Sequence, residues 1–260
     1  MLLKSLTLTT LTLTTLLAFS AQEIAQKAHD REDGDNAIAN MKMILIDKNN
    51  NTRERELKTF TKDKGEDEMK LMFFLSPADV KNTAFLTYDY EDSNRDDDQW
   101  LYLPELQKVK RIASSDKSSS FMGSDFSYSD MTSRNVADYE YAVMKEPIVK
   151  GHKTWQMLVT PKSEKIIEET GYTKSIYFIR QDNFVVVQAL HYVKAGEKLK
   201  YMMVNKLELI DGVWTPLEVQ MVSKKGTQTL HKTLLQFSDY KYNQELDESL
   251  FTTRTLERGL

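Results

Sequence analysis

The chain has 260 residues, with 35 basic against 39 acidic side chains and a formal net charge of -4. A dedicated nucleic-acid binder would carry a basic excess or stripe, so that class is excluded. With no cysteine, disulfides, thiol nucleophiles, thiolate zinc sites, cysteine-held iron–sulfur clusters and lipid attachment to an N-terminal cysteine are excluded too.

Residues 1–21 read MLLKSLTLTTLTLTTLLAFSA. Lys4 precedes an apolar Leu/Thr stretch, and Ala18-Phe19-Ser20 places small residues at the spacing a signal peptidase reads. This segment is read as a secretory signal cut near Ser20 or Ala21, too short and too Thr-broken for a stable span. No second apolar run of membrane length follows, so the mature chain is expected to carry no integral span. Freedom from cysteine suits an oxidising compartment, where a stray thiol is a liability.

Gln22 to about Arg31 predicts a short helix, with Ile24, Ala25 and Ala28 at helical spacing. A helix this short is marginal in water and must dock on something larger. From Ala37 the period drops to two. Strands are predicted from Ala37 to Ile46, Thr52 to Lys62 and Met69 to Leu75, separated by Asn/Asp/Gly turns. The rhythm continues over Thr83 to Tyr90, Gln99 to Leu103, Gln107 to Ile112, Tyr139 to Lys145 and Thr154 to Thr160. It closes over Ser175 to Arg180, Phe184 to Val193, Leu199 to Ile210, Val213 to Val222 and Thr227 to Tyr240. Asp211-Gly212 is the strongest hairpin signal. A short terminal helix is expected at Glu245 to Leu250.

No linker or repeat divides the chain, so residues 22–260 are read as one mainly β (α+β) domain of about ten to twelve strands, by that period. An antiparallel sheet needs one apolar face covered. A sheet of this size curls toward a barrel, and wide barrels leave cavities their own side chains do not fill. The expectation is a large curved antiparallel sheet, partly closed, with short helices as lid.

Catalytic patterns are poor. His29, His152, His191 and His231 show no metal-ligand spacing and read as surface or strand histidines. Ser124 lacks the second glycine of a nucleophile elbow. No phosphate-cradling glycine loop occurs. The acidic run of Asp89, Glu91, Asp92, Asp96, Asp97 and Asp98 lacks the EF-hand spacing and reads as a solvated hairpin tip. No enzyme, metal or cofactor is expected. Methionine is more telling: twelve occur, and flexible thioethers suit surfaces that accept varied apolar shapes. Met157 and Met203 are expected on inward strand faces.

The densest pattern runs from Gln99 to Met131, QWLYLPELQKVKRIASSDKSSSFMGSDFSYSDM. Trp100 and Tyr102 share a strand face, and Pro104 stops the strand. A long loop bearing Phe121, Met122, Phe126 and Tyr128 must bury those side chains somewhere. It reads equally as a latch over a cavity mouth or as a loop packed on the barrel end.

This segment, with WTPLE at Trp214 to Glu218 and the ending LFTTRTLER, resembles the LolA-like outer-membrane lipoprotein-sorting proteins across the whole mature chain. The resemblance implies a half-open β-barrel with helices as lid, shared with LolA, LolB and RseB. It implies a monomeric periplasmic carrier of lipid or lipoprotein acyl chains, with a resistance–nodulation–division (RND) exporter in the inner membrane as a possible partner. An accessory or sensor subunit of such an exporter, or of an envelope-stress pathway, is the alternative. Cavity or lid residues expected on this basis are Trp100, Tyr102, Phe121, Met122, Phe126, Tyr128, Met157 and Met203. Pro104, Arg111, Gly123, Asp125 and Asp130 carry the motif. Arg53 and Arg55 are candidates for the family's lid-contacting arginine.

Overall fold

The computed structural model describes residues 19–260. The expected signal segment, apart from Phe19 to Ala21, lies outside the described residues.

The elements in chain order are α1 (Ala21–His29), β1 (Asn36–Asp47), β2 (Thr52–Lys64), β3 (Asp67–Ser76), β4 (Ala84–Asp89), β5 (Asp98–Leu103) and β6 (Lys108–Arg111). After a long connection come β7 (Tyr139–Lys145), β8 (Ile148–Val149), β9 (His152–Pro161), α2 (Glu164–Thr170) and β10 (Tyr172–Arg180). Then follow β11 (Val186–Val193), β12 (Lys198–Ile210), β13 (Val213–Lys225), β14 (Gln228–Tyr242) and α3 (Thr253–Arg258).

All fourteen strands belong to one sheet, ordered β6-β5-β4-β3-β2-β1-β14-β13-β12-β11-β10-β9-β7, with β8 paired to β9. Every pairing is antiparallel. The sheet is curved and does not close, because β6 and β7 end it as unpaired edges. The β1–β14 pair, matching Met43 with Leu235 near its middle, joins the two arms of the meander. Residues 112–138 must carry the chain from one edge to the other, and they do so across the inner face. That crossing is the physical reason for so long a connection.

Alternation explains the layering. In β1, Ala37, Ala39, Met41, Met43 and Leu45 are buried, and the residues between them are partly exposed. β3 and β4 depart from this: Leu71, Met72, Phe73 and Phe74 are all buried, as are Ala84, Phe85 and Leu86. Both faces of the sheet are covered there. Inside, Met72, Phe74 and Phe85 meet Phe121 and Phe126 of the connection. Outside, Leu71, Phe73 and Leu86 meet Phe251 and Leu256 of the C-terminal segment.

Two helices differ from expectation. The C-terminal helix is α3, and Glu248 to Leu250 form only a 3-10 turn. Thr252 caps α3 through the Thr255 N–H, while Leu246 and Leu250 pack with the outer cluster. Helix α2 is absent from the sequence reading. Ser163 caps its start and Gly171, at φ 75°, ends it. A helix of that length offers too few apolar positions to register a period.

Candidate functional site

The crossing segment is fastened at several points. The Phe121 ring is fully buried, 5.0 Å from the Phe85 ring and 5.5 Å from Tyr128. Its turn places Met122 at φ 50° and Gly123 at φ 76°. Glycine takes that conformation without steric penalty, whereas Met122 does not. Arg55 donates to the Met122 carbonyl and lies over the Phe74 ring, so of the two arginine candidates Arg55 is the one that touches this segment. Asp125 is buried and accepts from Ser223, from His231 Nδ1 at 2.6 Å and from Thr233 Oγ1 at 2.7 Å. Its own N–H donates to Thr233 Oγ1. Gln99 donates to the Tyr128 carbonyl at 2.9 Å. The Lys117 ammonium, 1% exposed, is paired with Glu169 of α2.

Helix α1 lies beside this segment on the same inner face. Ser20 and Glu23 form a capping box at its start. Ile24 and Ala25 are its buried residues, and with Ala21 and Ala28 they pack on Val136, Met157, Ile179 and Tyr141. The Phe19 ring meets Trp155 and Phe184 edge-on. A bond between His29 Nε2 and Glu91, 3.0 Å long, ties its last turn across.

Beneath α1 and the end of the crossing segment is a cavity of about 390 Å³. Its roof is Ala25, Ala28, Phe126 and Val136, and its floor comes from β9 to β13. Alanines on α1 leave this space; larger side chains there would fill it. The floor is apolar, with Val159, Ile179, Val204, Val219 and the thioethers of Met202 and Met221. One part of the wall is polar, built from Asp130, Arg134, Tyr139, Tyr177 and His191.

The polar wall is buried and tightly bonded. Arg134 donates to the Tyr177 hydroxyl and, at 3.3 Å, to Asp130 Oδ1. Asp130 Oδ2 accepts from the Tyr172 hydroxyl at 2.8 Å and from the Ser127 N–H at 2.8 Å. Burial pushes the Asp130 carboxyl up, but Lys200, Arg134 and the other groups around it, the Ser127 N–H among them, hold its pKa below the usual range. His191 Nδ1 is 2.8 Å from Ser175 Oγ, and its ring stacks on Tyr172. Burial, aided by Arg134, carries the imidazole down to about 3, so it is neutral at physiological pH.

The residues singled out in the sequence divide among several places. Phe126 and Asp130 line the cavity. Phe121, Met122 and Tyr128 join the inner core of the N-terminal arm, and Met157 packs beneath α1. Trp100 and Tyr102 sit on the outer face with the C-terminal segment, away from the cavity. Met203 is one residue out of phase with Met202: it pairs with Gln188 and Gln220, while Met202 pairs with Ala189 and Met221. A one-residue error of phase moves a strand side chain to the other face. Pro104 lies in the β5–β6 turn, and Arg111 Nε donates to Asp98 at 2.8 Å on the exposed edge. Ser124 Oγ bonds the Phe126 backbone, shaping the turn. Of the acidic run, Asp97 accepts from the Tyr90 N–H and Asp89 from the Ser133 N–H. Sequence reasoning missed Arg134, Tyr139, Tyr177 and the inward placement of His191. The Asp130–Arg134 spacing of four was the available signal.

A curved, unclosed antiparallel sheet over a covered apolar cavity is the architecture of a lipid-carrier fold. Among solved structures, a domain described as an outer membrane lipoprotein-sorting protein from Vibrio parahaemolyticus is 30% identical, spans 92% of this chain and 98% of its own, and superposes with a TM-score of 0.82. A DUF1329 family protein from Desulfovibrio piger is 28% identical over 91% of this chain and 97% of its own, also at 0.82. A LolA superfamily protein from Nitrosomonas europaea shares the fold at 19% identity and a TM-score of 0.68, over 92% of this chain and 100% of its own. A family model described as an uncharacterized protein matches residues 66–258. No curated protein matches the chain. The chain belongs to the LolA-like outer-membrane lipoprotein-sorting family. No helix among the described residues is long and apolar enough to cross a membrane.

Proposed function

We propose that the chain is a periplasmic carrier that takes lipid or lipoprotein acyl chains into the cavity beneath α1 and passes them toward the outer membrane. The observation that supports this most is the cavity itself: about 390 Å³ of mostly apolar space under a short helix, within the size range of ligand sites, ~300–1,000 Å³. Moving an acyl chain from water into it gains ~0.8 kcal/mol per methylene buried. Binding of this kind needs no chemical step and reverses when a partner offers an equivalent apolar surface. Helix α1 is the cover that opens, since apolar contact and one part-buried bond between His29 and Glu91 hold it. Export by the N-terminal signal and supply of cargo by an inner-membrane RND exporter complete the reading.

Two measurements test it. Protein purified from its native envelope should carry lipid or lipoprotein detectable by mass spectrometry. Delipidated protein should bind a fluorescent apolar probe stoichiometrically; a chain that binds neither probe nor lipid is not a carrier.

A further inference from the structure

Counted with the lysine behind it, the polar wall of the cavity carries more positive than negative charge. Arg134 and Asp130 neutralise each other. Lys200, next to His191 across the β11–β12 pair, adds a second cation. Its Nζ is 3.3 Å from the Tyr172 hydroxyl and 5.4 Å from that ring's centre. Among the described residues it forms no ion pair. Asp130 and Asp125 attract it from farther off, and Asp125 is already engaged by Ser223, His231 and Thr233. Burial holds the Lys200 pKa below its usual value, the response of an ammonium short of a counter-charge. His191 is neutral and contributes nothing to the balance. When Ser175 donates to its Nδ1, the proton sits on Nε2 and offers the cavity a further donor.

A half-buried ammonium that meets a tyrosine hydroxyl but no carboxylate draws an anion to this end of the cavity. Resting on the carrier reading, we propose that the cargo is a single-chain anionic amphiphile. Its acid group lies against Arg134, Tyr177 and His191 with Lys200 behind, and its alkyl chain runs beneath Ala25 and Ala28 toward Met202 and Val219. Size agrees with one chain: at ~30 Å³ for a group the size of water, a methylene included, the cavity of about 390 Å³ holds about a dozen. A carboxylate and a phosphate monoester share the required chemistry.

The test displaces a fluorescent apolar probe from the delipidated full chain with dodecanoate, dodecyl phosphate, dodecanol and dodecyltrimethylammonium. At least one of the two anions should bind about tenfold or more tighter than the alcohol, the gain expected of hydrogen bonds to a charged group, and the cation weakest. The stronger anion names the head group. Lys200→Met should reduce that preference several-fold. The triple variant Asp130→Asn/Arg134→Gln/Lys200→Met, which removes both cations and the one carboxylate between them, should abolish it. If the triple variant does not fold by circular dichroism, Lys200→Met alone decides. Equal affinity for anion and alcohol, or full preference retained in every folded variant, overturns the inference and leaves the carrier standing. Failure of the probe and all four amphiphiles to bind overturns the carrier reading instead.

Discussion

Two segments cover the inner face of the sheet, and different forces hold them. The crossing segment, 112–138, is tied by buried polar bonds to both arms: Asp125 reaches β13 and β14, Arg55 reaches back from β2, and Lys117 pairs with α2. It also seats Phe121 in the core. Helix α1 makes apolar contacts through one narrow face, and its His29 bond to Glu91 is partly exposed. Buried polar bonds are directional and specify one position, whereas apolar contact tolerates sliding and separation. Under the proposed carrier role, the crossing segment with its aromatic loop is the fixed roof, and α1 is the part that leaves.

The comparison breaks most clearly at Phe121. Phe121→Ala should lower global stability by about 3–5 kcal/mol, measured by urea unfolding, because the emptied space lies between Phe74 and Phe85. A loss under about 1 kcal/mol would show the segment to be loosely seated. Asp125→Ala strands the side chains of Ser223, His231 and Thr233 and should cost about 3 kcal/mol in the same assay. Helix α1 should respond differently. Ile24→Ala should weaken its docking by about 2 kcal/mol or more, raising amide exchange in α1 and the entry rate of an apolar probe by more than about tenfold. The global unfolding midpoint should move far less than for Phe121→Ala.

The smallest effect is a pH slope. His191 is held near 3 by burial, while an unfolded histidine takes a proton near pH ~6.5. Between those values the unfolded chain binds more protons. Stability from this group is therefore present above about pH 6.5 and is lost as pH falls, by up to ~1.4 kcal/mol per unit. Asp97, raised to about 6 by burial and Asp89, and Asp63, raised to about 7 by burial and Asp33, act in the opposite sense. The difference between the wild type and His191→Gln isolates the histidine. No difference in slope between pH ~6 and ~4 would mean that His191 is protonated in the folded chain.

Much of the sheet was legible in the sequence. Alternation in Ala37 to Ile46 and the turn at Asp211-Gly212 are local facts, set by the pleat and by backbone conformations that few residues adopt. The cavity was not legible to the same degree. Phe126 and Asp130 stood out because a motif contains them. Arg134 and His191 stood in plain strands and loops, and only their meeting with Asp130 and Tyr177 makes them a polar wall. Trp100 and Tyr102 pointed the wrong way for the cavity because α3 covers the outer face of the same strands, and both faces there are apolar.

By itself, then, the sequence determined the period, the strand boundaries to within a few residues, the mainly β class and the family. Each rests on neighbours along the chain. Tertiary structure alone decided which face is inner, which segment is fixed and where a space remains. Those depend on the pairing of β1 with β14, on Asp125 finding His231 in the far arm, and on α1 presenting alanines where a larger residue would close the cavity. Such contacts join residues about a hundred or more positions apart, and no local pattern records them.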